Sequence, residues 1–150
     1  MKNTIQYGKK IDTALGMWVK LLRAYATFQR KNAEHLKNYG ITPAQYAVIE
    51  CLGHQGSMIM GELCKKMLVS GGNMTVVVDN LEKENLVERV PSDGDRRAIM
   101  VRLTSKGKKI FEESFLEHAE FLTQQASVLT LQEQEDLGRL LKKLGCLLRE

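Results

Sequence analysis

The stretch that most constrains this chain runs from Ser70 to Thr104 and reads SGGNMTVVVDNLEKENLVERVPSDGDRRAIMVRLT. Its opening predicts a helix, because Met74, Val77, Val78 and Leu81 recur at i, i+3, i+4 and i+7, the spacing of one buried face. At about 100° per residue, Gly72, Asn73, Val76, Asp79, Asn80 and Lys83 then share the opposite side. That side is small and polar around one β-branched apolar residue, Val76. Such a surface can come close to the edges of DNA bases. Asparagine pairs with adenine, serine and threonine bond either partner, and a valine methyl meets the methyl of thymine.

The second half of the stretch predicts a hairpin. Leu86 to Val90 and Ala98 to Leu103 read as strands, the latter with Ile99, Val101 and Leu103 inward and Met100 and Arg102 outward. Between them, Pro91-Ser92-Asp93-Gly94-Asp95-Arg96-Arg97 is a turn with two arginines at its far end. Guanidinium groups on a hairpin tip suit a narrow, negatively charged minor groove.

Upstream, Thr42-Pro43-Ala44-Gln45 combines a threonine cap, a first-turn proline and a glutamine three residues on, the signature of a helix start. That helix carries Tyr46, Val48, Ile49 and Leu52 and is expected to stop near Gly53. Ser57-Met58-Ile59 suits a short strand. Gly61 to Leu68 then predicts a second short helix with Leu63, Met67 and Leu68 inward and Lys65 and Lys66 outward. Val69-Ser70 is the tight turn, with Ser70 capping the helix that follows. Helix, turn, helix and hairpin in this order give a winged helix-turn-helix: a mainly α fold with a small antiparallel β-wing, its winged lobe spanning 41–104.

Long helices flank this lobe. Ile11 to about Asn38 keeps helical spacing through Ile11, Ala14, Leu15, Trp18, Leu22, Tyr25 and Ala26, and Tyr39-Gly40 ends it, glycine being suited to a left-handed terminal position. After the wing, Thr104 or Ser105 caps a helix with Ile110, Phe111, Phe115, Ala119 and Leu122 on one face. Thr130-Leu131-Gln132-Glu133 is a second capping box, opening a last helix with Leu137, Leu140, Leu141, Leu144, Leu147 and Leu148. A small winged domain needs three helices and a hairpin, so apolar helices are left over at both ends. They must be buried against something. A second copy of the chain is the least forced partner, which makes 11–38 and 105–148 dimerisation helices; an intramolecular bundle is the other solution.

Charge supports the same division. Residues 1–60 carry 8 basic and 3 acidic side chains, residues 61–109 carry 10 and 7, and residues 110–150 carry 4 and 8. A polyanion would be met by the front of the molecule, away from the C-terminal helices; the alternative is a chance bias among solvated helix faces. No apolar run reaches the ~20 residues of a membrane span, and the N-terminus lacks the apolar centre of a signal peptide, so a cytoplasmic protein with no membrane partner is expected. Three cysteines (Cys51, Cys64, Cys146) at wide spacing, with no CxxC, indicate neither a disulfide framework nor a zinc knuckle.

Over nearly its whole length the sequence resembles the MarR family of bacterial transcriptional regulators. The matching features are Ile41-Thr42-Pro43-Ala44-Gln45-Tyr46, Gly61-Glu62-Leu63, and Ser70 with Asn73, Thr75, Val78, Leu81 and Glu82. The most specific is the wing signature Asp95-x-Arg97-x-x-x-Val101-x-Leu103-Thr104-x-x-Gly107. The resemblance implies a ligand-responsive homodimer that binds a pseudo-palindromic operator in double-stranded DNA and usually represses. By position it implies that Ser70, Asn73, Thr75 and Val76 contact the major groove, with Gly72 and Asn80 on the same surface, and that Arg97 enters the minor groove. Asp95 would orient Arg97 through a charge-assisted bond. Arg96, Lys65 and Lys66 are assigned to phosphates, with plain solvated charge as the alternative for each lysine. Asp79 would repel phosphate unless paired, a wing arginine being the expected partner. Gly71-Gly72 opens the helix where relatives commonly carry bulkier or basic residues, which predicts a loose start without DNA.

The effector is the least legible part. The resemblance implies a pocket between dimerisation helices and winged lobe for a small aromatic or anionic molecule; Trp18, Tyr25, Tyr46 and Phe111 are candidates to line it, with plain core as the alternative. Cysteine-based redox sensing is a second reading, opposed by the apolar neighbours of Cys51 and Cys64. His35, His54 and His118 show no metal spacing, so neither metal nor cofactor is expected. No nucleophile–base pair or phosphate loop supports an enzyme. A winged-helix interaction module without sequence-specific DNA binding stays open, because the recognition helix bears almost no basic residues.

Overall fold

The computed structural model describes residues 5–92 and 98–147. Helix α1 (Lys9–Leu36) ends in a 3-10 turn over Lys37–Tyr39, closed by Gly40 at φ 68. A left-handed residue there costs a glycine nothing. Helix α2 (Pro43–Gln55) begins with both halves of its capping box in place: the Thr42 side chain accepts from the Gln45 backbone N–H at 3.3 Å, and Gln45 Oε1 accepts from the Thr42 backbone N–H at 2.9 Å.

Helix α2 ends two residues past Gly53, at Gln55, with Gly56 as its C-terminal cap; Gly53 itself lies where a neighbouring helix comes close. A Cβ placed there would lie 2.6 Å from the ring of Phe111. Strand β1 (Met58–Ile59) leads into α3 (Met60–Met67), whose Leu63 is fully buried. Leu68, expected inward, is instead 66% exposed and sits at φ 55. The tight turn demands a left-handed residue at that point, and this swings the side chain out of the helical face.

Helix α4 (Gly71–Lys83) is capped by Ser70, whose Oγ accepts from the Asn73 backbone N–H at 3.4 Å. Met74, Val78 and Leu81 are buried as their spacing requires. The helix closes on Asn85 at φ 57, with the Leu86 N–H donating to the Leu81 carbonyl and the Asn85 N–H to the Glu82 carbonyl. Asparagine thus fills the left-handed position of a Schellman-type ending. Strands β2 (Val87–Pro91) and β3 (Ile99–Leu103) form the antiparallel wing, paired from Val87↔Leu103 to Pro91↔Ile99. Strand β1 joins the other edge of β3, giving the order β1-β3-β2. Val101 and Leu103 face the core as expected. Ile99 does not; it lies 49% exposed, because the wing has by then projected past the helices that could cover it. Pro91, expected in the turn, ends the strand instead.

Helix α5 (Ser105–Ala126) starts at Thr104, whose Oγ1 accepts from the Gly107 N–H at 3.0 Å. Its packed line combines the expected Ile110, Phe111, Phe115 and Ala119, all half-buried, with small and polar residues buried more deeply. Gly107, Ser114 and His118 are the buried positions, while Leu122 is exposed. A small residue lets helices approach closely, and Ser114 tolerates burial because its hydroxyl donates to the Ile110 carbonyl at 2.6 Å. Helix α6 (Leu131–Leu147) has the expected capping pair, with Thr130 and Glu133 exchanging bonds.

The core lies in the winged lobe, where Ile49, Leu63, Val78, Leu86 and Val101 are essentially inaccessible. The flanking helices differ sharply. Ile11, Leu15, Trp18, Leu22 and Tyr25 on α1, and Leu137, Leu140 and Leu141 on α6, are all exposed. Within one chain these two stripes are uncovered.

Candidate nucleic-acid interface

The sequence candidates on the helix-turn-helix fall together on one surface. Ser70, Gly72, Asn73, Thr75, Val76 and Asn80 are exposed along α4, and Lys65 and Lys66 are exposed at the end of α3 beside it. Two hydroxyls are already engaged: Ser70 caps the helix, and Thr75 Oγ1 donates to the Gly71 carbonyl at 2.9 Å. The Ser70 cap also gives the Gly71-Gly72 start an anchor that the glycines alone would not supply. Asp95, Arg96 and Arg97 lie outside the described residues.

Asp79 is the informative case. It pairs with Arg89 of β2, Nη2 to Oδ1 at 2.7 Å, so its partner is a wing residue from the strand rather than the loop. The same guanidinium bonds Glu82 through Nη1 at 2.5 Å, and the Glu82 carboxylate also accepts from the Arg89 backbone N–H at 3.2 Å. Burial works against the charge of Arg89, but its hydrogen bonds to Asp79 and Glu82 outweigh this and hold it above its ordinary value. One arginine therefore ties the wing to α4 and neutralises two carboxylates on the helix. Sequence reasoning missed Arg89. The available signal was that Asp79 and Glu82, three apart, share a helical face that a forked cation on the next strand can span.

The four proposed pocket residues are not brought together. Trp18 and Tyr25 stand on the exposed face of α1, 54% and 61% accessible. Tyr46 is buried, its ring edge-on to His118 at 4.5 Å between centroids. Phe111 covers Gly53 and meets His54 and Phe115. It lines a cavity of about 320 Å³ with Gly56, Ser57, Arg102 and Lys108. Trp18 and Tyr25, assigned to a pocket through the family resemblance, belong within one chain to the uncovered α1 stripe.

A different cluster lies where α1, α2 and α5 meet. Asn32 Oδ1, His35 Nε2, Tyr46 Oη and His118 Nδ1 are buried without a hydrogen-bond partner among the described residues. His35 stacks on Phe121 at 4.2 Å and stands 5.4 Å from His118. Desolvation, reinforced by the neighbouring His35, lowers the pKa of His118. Among the described residues no group of three His, Cys, Asp or Glu could hold a metal ion. Cys51 is buried and its thiol pushed up, by burial first, with Lys66 opposing; Cys64 is half-buried. A thiol held protonated is a poor nucleophile, which weakens the redox reading.

An exposed, nearly neutral helix, flanked by lysines and tied to a two-stranded wing, defines a winged helix-turn-helix DNA-binding transcriptional regulator. Residues 41–99 match the sequence model of the MarR family. The chain is 32% identical over 134 residues to the HTH-type transcriptional regulator MhqR of Bacillus subtilis (strain 168), covering 89% of this chain and 92% of that protein. It is 30% identical over 127 residues to the HTH-type transcriptional repressor MdtR of the same organism, covering 85% and 82%. Among solved structures, a mutant MarR from E. coli complexed with operator DNA superposes with a TM-score of 0.82 at 28% identity, over 91% of this chain and 99% of that one. The chain belongs to the MarR family.

Proposed function

We propose that this chain acts as a homodimeric, ligand-responsive repressor of a pseudo-palindromic operator. The observation that carries the reading is the pair of surfaces on opposite parts of the chain. One, on α4, is exposed and shaped for a groove; the other, on α1 and α6, is apolar and uncovered. An apolar face of that extent needs a partner. A second copy supplies it and sets two recognition helices at a fixed spacing, which two half-sites require. The E. coli relative complexed with operator DNA supports the DNA-binding half of this reading.

In this reading 41–104 is the DNA-binding lobe, and 11–38 and 105–148 hold the dimer. Ser70, Gly72, Asn73, Thr75, Val76 and Asn80 face the major groove. Lys65, Lys66 and Arg96 meet phosphates, and Arg97, oriented by Asp95, enters the minor groove. The protein works in the cytoplasm without a catalytic role, and a small aromatic or anionic molecule releases the DNA.

The test is a gel shift with the DNA upstream of its own reading frame. Specific binding should fall steeply with salt, and Arg97→Ala should weaken it by about ten-fold or more. Equal affinity for unrelated duplexes, or a monomer at the concentrations that bind, would point instead to an interaction module. Thermal-shift screening with small aromatic acids then tests the effector.

A further inference from the structure

From the DNA-facing side of α4 and its ion pair with the wing, we infer that each operator half-site presents A·T base pairs to this helix, with Val76 seated on a thymine methyl. The inference rests on the DNA-binding reading above and adds what kind of sequence is read.

Two residue types read G·C pairs in the major groove. Arginine or lysine forks onto guanine, and aspartate or glutamate accepts from the amino group of cytosine. On the outer side of α4 the first type is absent apart from Lys83, at the last position of the helix. The second type is present as Asp79, but its carboxylate is held by Arg89 at 2.7 Å. Glu82 is held by the same guanidinium. Reading cytosine would mean trading an ion pair with a guanidinium for a bond from the carboxylate to an uncharged amino group, which gives up the attraction between opposite charges.

What remains free to read is Asn73, Val76 and Asn80. Neither asparagine side chain has a hydrogen-bond partner among the described residues, and both are exposed. Asparagine is the bidentate partner of adenine. Val76 lies between them, 59% exposed, an apolar side chain in the middle of a polar surface. A β-branched residue there gains nothing from solvent and little for the helix. The apolar feature of the major groove is the thymine methyl, so the adenine-pairing amides and the methyl-binding valine select the same base pair.

The experiment recovers duplexes bound by the full-length protein from a randomised pool, then measures affinity for the best sequence with single substitutions. A·T pairs should be enriched in each half-site. Replacing one thymine by deoxyuridine removes only its methyl; at the contacted position it should weaken wild type about four-fold, the worth of one buried methyl group. The same replacement should leave Val76→Ala unaffected. Because Val76 is exposed, Val76→Ala should unfold as wild type does. Asp79→Asn should keep the enriched sequence unchanged. Enrichment of G·C in both half-sites, a shift of preference with Asp79→Asn, or an equal deoxyuridine penalty in Val76→Ala would each overturn the inference. A pool with no enriched sequence would overturn the DNA-binding reading itself, and the inference with it.

Discussion

Replacing Gly107 by alanine tests how the wing is joined to the rest of the molecule. Gly107 is in the first turn of α5, and a Cβ built on it would lie 2.0 Å from the carbonyl oxygen of Leu86 and 3.3 Å from the side chain of Leu103. The first of these is a backbone atom, so no rotamer change relieves the clash. The same carbonyl accepts from the Thr104 N–H at 3.1 Å, and the Thr104 hydroxyl donates to the Asn85 carbonyl at 2.7 Å. Moving Leu86 away therefore strains the bonds that fasten α5 to the end of α4. Overpacking of this kind costs about 1–3 kcal/mol. A weakened hydrogen bond adds about 1 kcal/mol. The gain from replacing a helical glycine is at most ~1 kcal/mol, less near the helix start.

The net expectation is a loss of about 2 kcal/mol, read from urea unfolding at one fixed protein concentration, since association would couple to the midpoint. Gly61→Ala is the matched control. It lies in the first turn of α3, outside the dimerisation helices, with nothing within 4 Å of an added Cβ, so a small propensity gain should appear alone. Opposite signs for the two substitutions support the close approach. A Gly107→Ala variant as stable as Gly61→Ala would refute it.

Two further expectations concern pH. His118 is buried with its pKa lowered by desolvation and by His35, so the unfolded chain takes up its proton near the ordinary value of 6.5 while the folded chain resists. The unfolded state then binds more protons, and stability should fall as pH drops below about 6.5, levelling off beneath the folded pKa. His118→Gln should flatten that part of the urea-midpoint profile between pH 8 and 5.5, and a wild-type profile no steeper than the variant's would reject the account. At the alkaline end, Tyr39 is pushed up to about 12 by burial and by its hydrogen bond to Glu117. The unfolded phenol ionises from pH 10, so its contribution should be present below that and be lost as pH rises through 12; Tyr39→Phe should remove this slope, as followed by the far-ultraviolet signal.

Local chemistry made much of the fold legible. The Thr42 capping box, the Ser70 cap, the Gly40 stop and the buried face of α4 all depend on residues within about two helical turns of one another, and all are found, with Val77 half-buried beside the fully buried Met74, Val78 and Leu81. Failures cluster where a distant element decides the outcome. Gly53 lies inside α2 with Phe111 resting on it, and the most buried positions of α5 are Gly107, Ser114 and His118, beside the partly buried Ile110 and Phe111. Leu68 could not be placed because nothing in leucine announces a left-handed turn. At the candidate interface, positions on a single helix were legible, whereas the Arg89 bridge needed the register of β2 beside α4.

The same distinction bears on how such a protein can be switched. The surface proposed to read DNA is built from short-range features of α3 and α4, so it should persist whatever happens to the flanking helices. The separation between two such surfaces, by contrast, depends on how α1 and α5 sit against α2. That junction gathers polar and aromatic side chains, with His35 stacked on Phe121 at 4.2 Å and Tyr46 edge-on to His118 at 4.5 Å. A core packed with aliphatic side chains offers one close-packed arrangement, whereas a seam of polar and aromatic side chains can exchange hydrogen-bond partners as it shifts. Strength is therefore placed where bases are to be read, and tolerance where the distance between reading heads is to be set.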